Sequence, residues 1–586
     1  MIVKMVLSIM FILVQLTVSQ SLKLLQTLGS SSADAVLDLK FDKQGDLYIV
    51  GERGTGNDET ITLSSSLSLR FGTSKTRSFI AKFDSTGTEF KGIIVADSGQ
   101  RITSIDIDSL GAIYATGSLN CQYGNCGFGK RTSWSPPYTG DFFVAKYNNN
   151  LERVWSVNSK SGGAFGTDIK CDSNGCVFCG TYNMPTTLDT FKINTPAGQC
   201  CDNMHSNSNA FIGRIDANGK CIFFRNAGKG LIYTRRMEIT SSGEIFLTGY
   251  ACLFMSPETD SSNITGTGPL TYICSPSKGF LSKYSSDGTF QWVKQSQNKD
   301  TVSDCNAIAV NSSKSEVSTS TIFGNNNDAL TISNCLISDV NRLSFSGESL
   351  WIKIFKPYNI VPEALGTCSY GYQVRICDLG YSRNEELIFA GKYFNGLIFE
   401  DDTIGRMGAG GIGVSATDLG FVGCILPDGH KKWITDLTWK PENDSGHSKF
   451  YFHRFAIRGE RIFTTGVYST IITNDSTVTS RGDNDIFIAE VNPDQSISVL
   501  KSAANVSMAN WKMSLQRGLV CLQGKGNDEV AISIYNILGK RIFPSSGECY
   551  VKPGNMIPVT DLANGSYFVM ITSKNQMQII SVTLTK

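Results

Sequence analysis

The chain has 586 residues, of which 57 are glycine and 18% are charged; 53 Lys and Arg stand against 52 Asp and Glu, a formal net charge of +1. Such a length supports a sizeable core and more than one domain, and an apolar fraction of 41% excludes an intrinsically disordered chain. The charge balance offers no basic face for nucleic acid or an anionic membrane and no acidic store for cations.

Residues 1–19 read as a signal peptide. Lys4 supplies a positive start, Met5 to Val18 is almost wholly apolar, and the small Ser19 before Gln20 suits cleavage. No later run approaches the ~20 apolar residues that a membrane span needs. The mature chain is therefore expected to be exported and to lack a membrane span.

From about residue 20 to residue 503 the chain repeats itself. A strand, a polar turn and a second strand ending in glycine recur as AVLDLKFDKQGDLYIVGE from Ala35, ITSIDIDSLGAIYATGS from Ile102, GTDIKCDSNGCVFCGTY from Gly166 and RRMEITSSGEIFLTGY from Arg235. Weaker copies start at Asn306, Val374 and His453. The strand-ending glycines Gly51, Gly117, Gly180, Gly249, Gly391 and Gly466 lie 66, 63, 69, 142 and 75 residues apart, the 142 spanning a degenerate fifth copy. In that copy Ser315 stands near the turn position and Ser320 near the strand-ending glycine.

A second hairpin follows in most units: FIAKFDSTGTEF from Phe79, FFVAKYNNNLERVW from Phe142, FIGRIDANGKCIFF from Phe211, FLSKYSSDGTFQW from Phe280, LWIKIFKP from Leu350, FVGCILPDGHKKW from Phe421 and IFIAEVNPDQSISVL from Ile486. Alternating apolar residues around an Asp/Asn/Ser-Gly turn signal a hairpin, because the turn needs a positive φ. Two hairpins make a four-stranded antiparallel blade. Seven such blades bury their faces by stacking radially, so the predicted fold is an all-β seven-bladed β-propeller. Leu22 to Leu28 is a surplus strand that is expected to close the ring by pairing with the blade containing Phe487.

The ordered pattern Ile107-Asp108, Gly111, Tyr114, Thr116-Gly117, then Phe143-Val144-Ala145-Lys146 and Trp155 resembles the bacterial β-propeller repeat called SBBP, over about 480 residues. Residues 504–586 depart from the repeat and alternate as a small antiparallel β-sandwich. Ile534-Tyr535-Asn536, Leu538-Gly539-Lys540, Asp561-Leu562, Asn564-Gly565, Tyr567-Phe568-Val569 and the terminal Lys586 make this segment similar to the C-terminal sorting domains of type IX secretion. The resemblance implies the type IX secretion machinery as a partner and a secreted or cell-surface location.

Seventeen cysteines in an exported chain suggest disulfides. Cys171 and Cys176 flank a hairpin turn and could face each other, while Cys121 with Cys126 and Cys252 with Cys274 could staple loops. Cys176 and Cys179 have CxxC spacing, but residues three apart in a strand face opposite ways, which argues against a shared metal.

Chemistry is sparse. The four histidines His205, His430, His447 and His453 form no zinc-ligand pair and accompany no nucleophile turn. Asp172-Ser173-Asn174-Gly175 and Asp216-Ala217-Asn218-Gly219 offer oxygen ligands for calcium, but they lack a downstream bidentate Glu and sit at hairpin turns. Arg481-Gly482-Asp483 is explained by the approach to a blade strand rather than by adhesion. No catalytic residue, cofactor or metal is expected. The long connections 119–139, 182–209, 251–278 and 324–349 carry Tyr123, Trp134, Tyr138 and Tyr272 as candidate anchors for an unknown protein or glycan ligand. The alternative is a polysaccharide-acting hydrolase or lyase whose acids converge at the axis, and charged residues from three or more blades meeting there would favour it.

Overall fold

The computed structural model describes residues 22–491, apart from 55–59, 64–66, 71–77, 98, 120–139, 161–162, 195–208, 229–231, 252–277, 296–300, 326–334, 358–371, 394–395, 401, 405–418, 438–449 and 473–476, together with the strands between 511 and 584. Every regular element described is a β-strand. The chain divides into two compact units, 1–493 and 494–586. The residues of the signal segment lie outside the described ones.

In the first unit, antiparallel four-strand meanders follow one another along the chain. Sheet 1 comprises Ala35–Phe41, Leu47–Glu52, Ser78–Phe83 and Phe90–Val95, and sheet 2 Gln100–Ile107, Ile113–Leu119, Asp141–Tyr147 and Arg153–Asn158. Sheet 3 holds Ala164–Asp172, Gly175–Tyr182, Asn209–Ile215 and Cys221–Gly228; sheet 4 holds Ile232–Ile239, Ile245–Ala251, Lys278–Tyr284 and Phe290–Gln295. Sheet 5 is Thr301–Asn311, Glu316–Asn325, Cys335–Ser344 and Ser349–Pro357, joined by a short parallel pairing to sheet 6, which is Tyr372–Tyr381, Leu387–Tyr393, Leu419–Ile425 and Lys431–Asp436.

Sheet 7 takes three strands from late in the chain, Phe450–Arg458, Arg461–Tyr468 and Asp485–Val491, and its fourth from the beginning, Leu22–Gly29. The N-terminal strand runs antiparallel to 485–491, with Thr27 opposite Phe487 and Leu28 opposite Ile486, as its surplus position in the sequence predicts. The first strand of each sheet lies beside the first strand of the next, and that of sheet 7 lies beside that of sheet 1.

The repeat residues do specific packing work. Phe79, Phe143, Phe211, Phe280, Phe421 and Phe487 are buried on the third strands, each in register with the strand-ending glycine of the second. The glycine is required on the other side as well, because the first strand bulges there: a Cβ on Gly117 would lie 1.9 Å from the Arg101 carbonyl oxygen, and one on Gly249 1.9 Å from that of Tyr233. On the outer strands, Trp155 and Trp292 donate their indole N–H to the Ala217 and Phe345 carbonyls of the following sheet. Their rings cover the turn glycines Gly219 and Gly347, so sheet 2 is clasped to sheet 3 and sheet 4 to sheet 5.

Sheet 5 corrects the sequence reading. Leu350 to Pro357 is its fourth strand; its third, Cys335–Ser344, lies inside the stretch 324–349 that reads as a long connection. The misreading follows from a lost signature, since Asp339 stands in register where the other third strands carry phenylalanine. The residue opposite it at the glycine position is Thr321, one place beyond Ser320. Ser315 does occupy the turn, with φ of 55°, the left-handed conformation that glycine supplies in sheets 1 to 4 and 7 and Glu385 in sheet 6.

The second unit contains two antiparallel sheets, one of Trp511–Gln516, Leu519–Gly524 and Met556–Pro558, the other of Val530–Asn536, Arg541–Phe543, Cys549–Val551, Gly565–Ser573 and Gln576–Leu584. Ile532 and Ile534, two apart on one strand, are both buried, as alternation demands.

Candidate functional site

All the first strands of the first unit carry a β-bulge at the same place, and a bulge re-aims the side chain that follows it. The residues immediately after the bulge are Asp38, Ser104, Asp168, Arg236, Ala307, Asp378 and Arg454. Two residues further, on the same face of each strand, come Lys40, Asp106, Lys170 and Glu238 in sheets 1 to 4. Charged side chains from sheets 1, 3, 4, 6 and 7 thereby line one cavity of about 260 Å³, among them Asp38, Lys40, Asp168, Arg236, Asp378 and Arg454.

The carboxylates form a repeated clasp. Asp38 Oδ1 accepts the N–H of Leu39 at 2.9 Å, and its Oδ2 accepts the N–H of Ile105 on the next sheet at 3.0 Å. Asp168 does the same with Ile169 at 3.0 Å and Met237 at 2.9 Å, and Asp378 with Leu379 and Phe455, both at 3.1 Å. The Ser104 hydroxyl lies 2.8 Å from Asp38 and 2.7 Å from Asp168, and its single proton serves one of them at a time. Below this layer Asp106 Oδ2 accepts the Cys171 N–H at 2.6 Å, and Lys170 pairs with Glu238 at 2.5 Å.

Protonation follows from these partners. Burial alone would raise Asp38, but Lys40, Arg236, Lys170 and the Ile105 N–H outweigh it and hold the carboxyl below its ordinary value. For Asp106 and Asp378 burial wins over the same kinds of partner, and each is pushed up to about 6. Lys170 and Arg236 keep their protons more firmly than usual: burial works against the charge, but the carboxylates around them outweigh it. Shifts of this kind occur in catalytic sites and in structural ion networks alike.

The residues singled out in the sequence lie elsewhere. Tyr123, Trp134, Tyr138 and Tyr272 fall outside the described residues, as do His205, His447, Cys121, Cys126, Cys252 and Cys274. His430 is an exposed turn residue whose N–H donates to Asp428. His453 sits at the sheet 7 bulge, where burial and the nearby Lys392 push it down to about 4. Cys171 and Cys176 form a disulfide across their hairpin. Cys176 and the free Cys179 belong to different core clusters, so the CxxC spacing brings no shared ligand pair. Asp172 accepts the Asn174 N–H and pairs with Arg214, and Asp216 accepts the N–H groups of Asn218 and Lys220; both acids are used by their turns. Arg481 pairs with the buried Asp485, which explains the Arg-Gly-Asp string structurally.

The charged lining of this cavity has a readable signal in the sequence. Asp38-x-Lys40, Asp168-x-Lys170 and Arg236-x-Glu238 place two charges on one face of a strand that the repeat assigns to the interior.

Residues 517–583 match the family model described as the secretion system C-terminal sorting domain. The protein is a type IX export cargo, destined for the cell surface or the medium. No curated protein matches the chain. Solved structures similar to it include a Lactobacillus plantarum protein at 8% identity, covering 71% of this chain and 96% of that one with a TM-score of 0.37. Another is a protein of unknown function from Dyadobacter fermentans, at 8% identity, covering 80% and 98% with a TM-score of 0.35. A polysaccharide lyase described as an ulvan lyase gives 10% identity, covers 78% and 85%, and has a TM-score of 0.29. Likenesses this remote carry no argument about activity.

Proposed function

We propose that residues 20–503 form a seven-bladed β-propeller of the SBBP type, that residues 504–586 are its sorting domain, and that the ring acts outside the cell as a non-catalytic binding module for a protein or glycan. The cyclic order in which first strands pack against one another supports the ring, and the N-terminal strand supplies its closure. Type IX machinery is the implied partner of the sorting domain.

A charged axis drawn from more than three sheets is the feature expected of the enzymatic alternative. The observation that tips the reading toward binding is the state of the acids: both oxygens of Asp38, Asp168 and Asp378 already accept backbone N–H groups. A general acid or base must reach a substrate proton, and these carboxylates are spent on joining strands. One observation favours the second reading, a polysaccharide hydrolase or lyase. Asp106 has one backbone donor on a single oxygen and is pushed up to about 6, within the range useful to a general acid.

Screening the exported chain against glycan and surface-protein panels, with product analysis on the same polysaccharides, separates the two. The binding reading expects retention without new chain ends. Release of new ends that disappears in Asp106→Asn overturns it.

A further inference from the structure

We propose that the axial cavity binds a small oxyanion group, supplied by the carboxylate of a uronic acid unit or by free sulfate or phosphate. The proposal rests on reading the first strands as a ring around this cavity, and it gives the binding module a ligand class.

The acceptors of the lining are largely satisfied: Asp38, Asp168 and Asp378 hold backbone N–H groups on both oxygens, and Glu238 accepts from Lys170. The donors are not. Arg236 makes no hydrogen bond through its guanidinium among the described residues; its closest carboxylate oxygen, on Asp168, stands 3.9 Å away. Arg454 gives one nitrogen to the carbonyls of Cys377 and His453 at 3.0 and 2.9 Å, while its Nε is buried without a partner. Lys40 reaches Asp38 only at 3.5 Å.

These three cations come from sheets 4, 7 and 1 and line the same cavity. The Arg454 Nε is the buried donor among them without an acceptor, which costs free energy, while Arg236 and Lys40 keep part of their side chains exposed, so the group that fits brings acceptor oxygens and no need for further ones. The planar guanidinium fork suits carboxylate, sulfate and phosphate geometry. The cations Lys40, Lys170, Arg236 and Arg454 are matched by Asp38, Asp168, Glu238 and Asp378, so recognition here is by local hydrogen bonding rather than by a net positive field. A cavity of about 260 Å³ holds an inorganic oxyanion or one sugar ring.

Isothermal titration of the full exported chain at fixed ionic strength, with glucuronate, glucose, sulfate, phosphate and chloride as separate titrants, tests this. Saturable binding of the oxyanions at least tenfold tighter than glucose or chloride is expected, and Arg236→Gln and Arg454→Gln should each weaken it at least tenfold. Glucuronate well above sulfate and phosphate assigns the sugar acid as source; equal affinities assign the free anion. Arg236→Lys, which keeps the charge, guards against a folding defect, and circular dichroism checks each variant. Oxyanions that bind no better than chloride, or affinity unchanged in Arg236→Gln, overturn the site. If glycans are retained in the panel screen while oxyanions fail here, the binding module stands and only the axial site falls.

Discussion

Sheet 5 and its neighbours solve one packing problem in two ways. In six sheets a phenylalanine on the third strand lies over a glycine on the second, as Phe79 over Gly51 and Phe211 over Gly180. In sheet 5 Asp339 faces Thr321, and the aspartate accepts the Thr321 N–H at 3.1 Å. The bulge of the first strand is kept between Cys305 and Ala307. The difference teaches that the repeat conserves a filled volume beside the bulge, and that a large apolar ring over a bare backbone and a polar pair of two medium side chains both fill it.

The comparison breaks most visibly at the glycines. Gly117→Ala would drive a Cβ to 1.9 Å from the Arg101 carbonyl oxygen, against first-strand backbone that cannot yield cheaply. Such overpacking should cost about 3 kcal/mol or more in urea denaturation. Thr321→Ala removes only a hydroxyl and a methyl at the matching place and should cost about 1 kcal/mol. Equal losses from the two changes would show that the glycine serves no steric purpose.

A double substitution sharpens the same point. Asp339→Phe alone places a ring against the Thr321 side chain, and Thr321→Gly alone leaves a void under Asp339. Together they rebuild the arrangement of the other six sheets. The pair should recover about 1–2 kcal/mol relative to the sum of the single losses. Strict additivity would mean that the two positions do not share one volume.

The same contrast explains how far the sequence can be read. Six units announce themselves because the strand-ending glycine and the phenylalanine opposite it recur at fixed places, and the N-terminal strand is legible because Leu22 to Leu28 has no hairpin partner of its own. Sheet 5 hides its third strand because Asp339 and Thr321 erase the two residues by which the others are recognised. The charged cavity is hidden for another reason. Alternation tells that Asp38 and Lys40 share a face, but only the bulge and the packing of successive first strands bring them to Asp168, Arg236 and Arg454. Loop aromatics attract attention as ligand anchors, whereas charges embedded in an interior strand are easily read as faults in the repeat.

Acidity supplies the most specific test. Burial pushes Asp339 up to about 6, and hydrogen bonds from Thr321 only partly oppose it. The folded state therefore binds this proton more tightly than the unfolded chain, whose carboxyl titrates at its ordinary 3.8. A carboxyl raised on folding makes stability fall as pH rises from 4 through 6, and the penalty is complete above that. Asp339→Asn removes the charge at every pH. At pH 7 the variant should be more stable than the parent by about 1–2 kcal/mol, less than the full shift implies because the group is partly exposed. Near pH 4 the advantage should vanish. Asp34, Asp106 and Asp378 are also pushed up to about 6, so the variant should keep a pH slope shallower than the parent's rather than none. Urea midpoints measured from pH 4 to 8 give the answer directly. An advantage that is constant across the range would mean that folding leaves the Asp339 carboxyl unshifted and charged at no cost, and the polar pair of sheet 5 would then be as inexpensive as the phenylalanine and glycine it replaces.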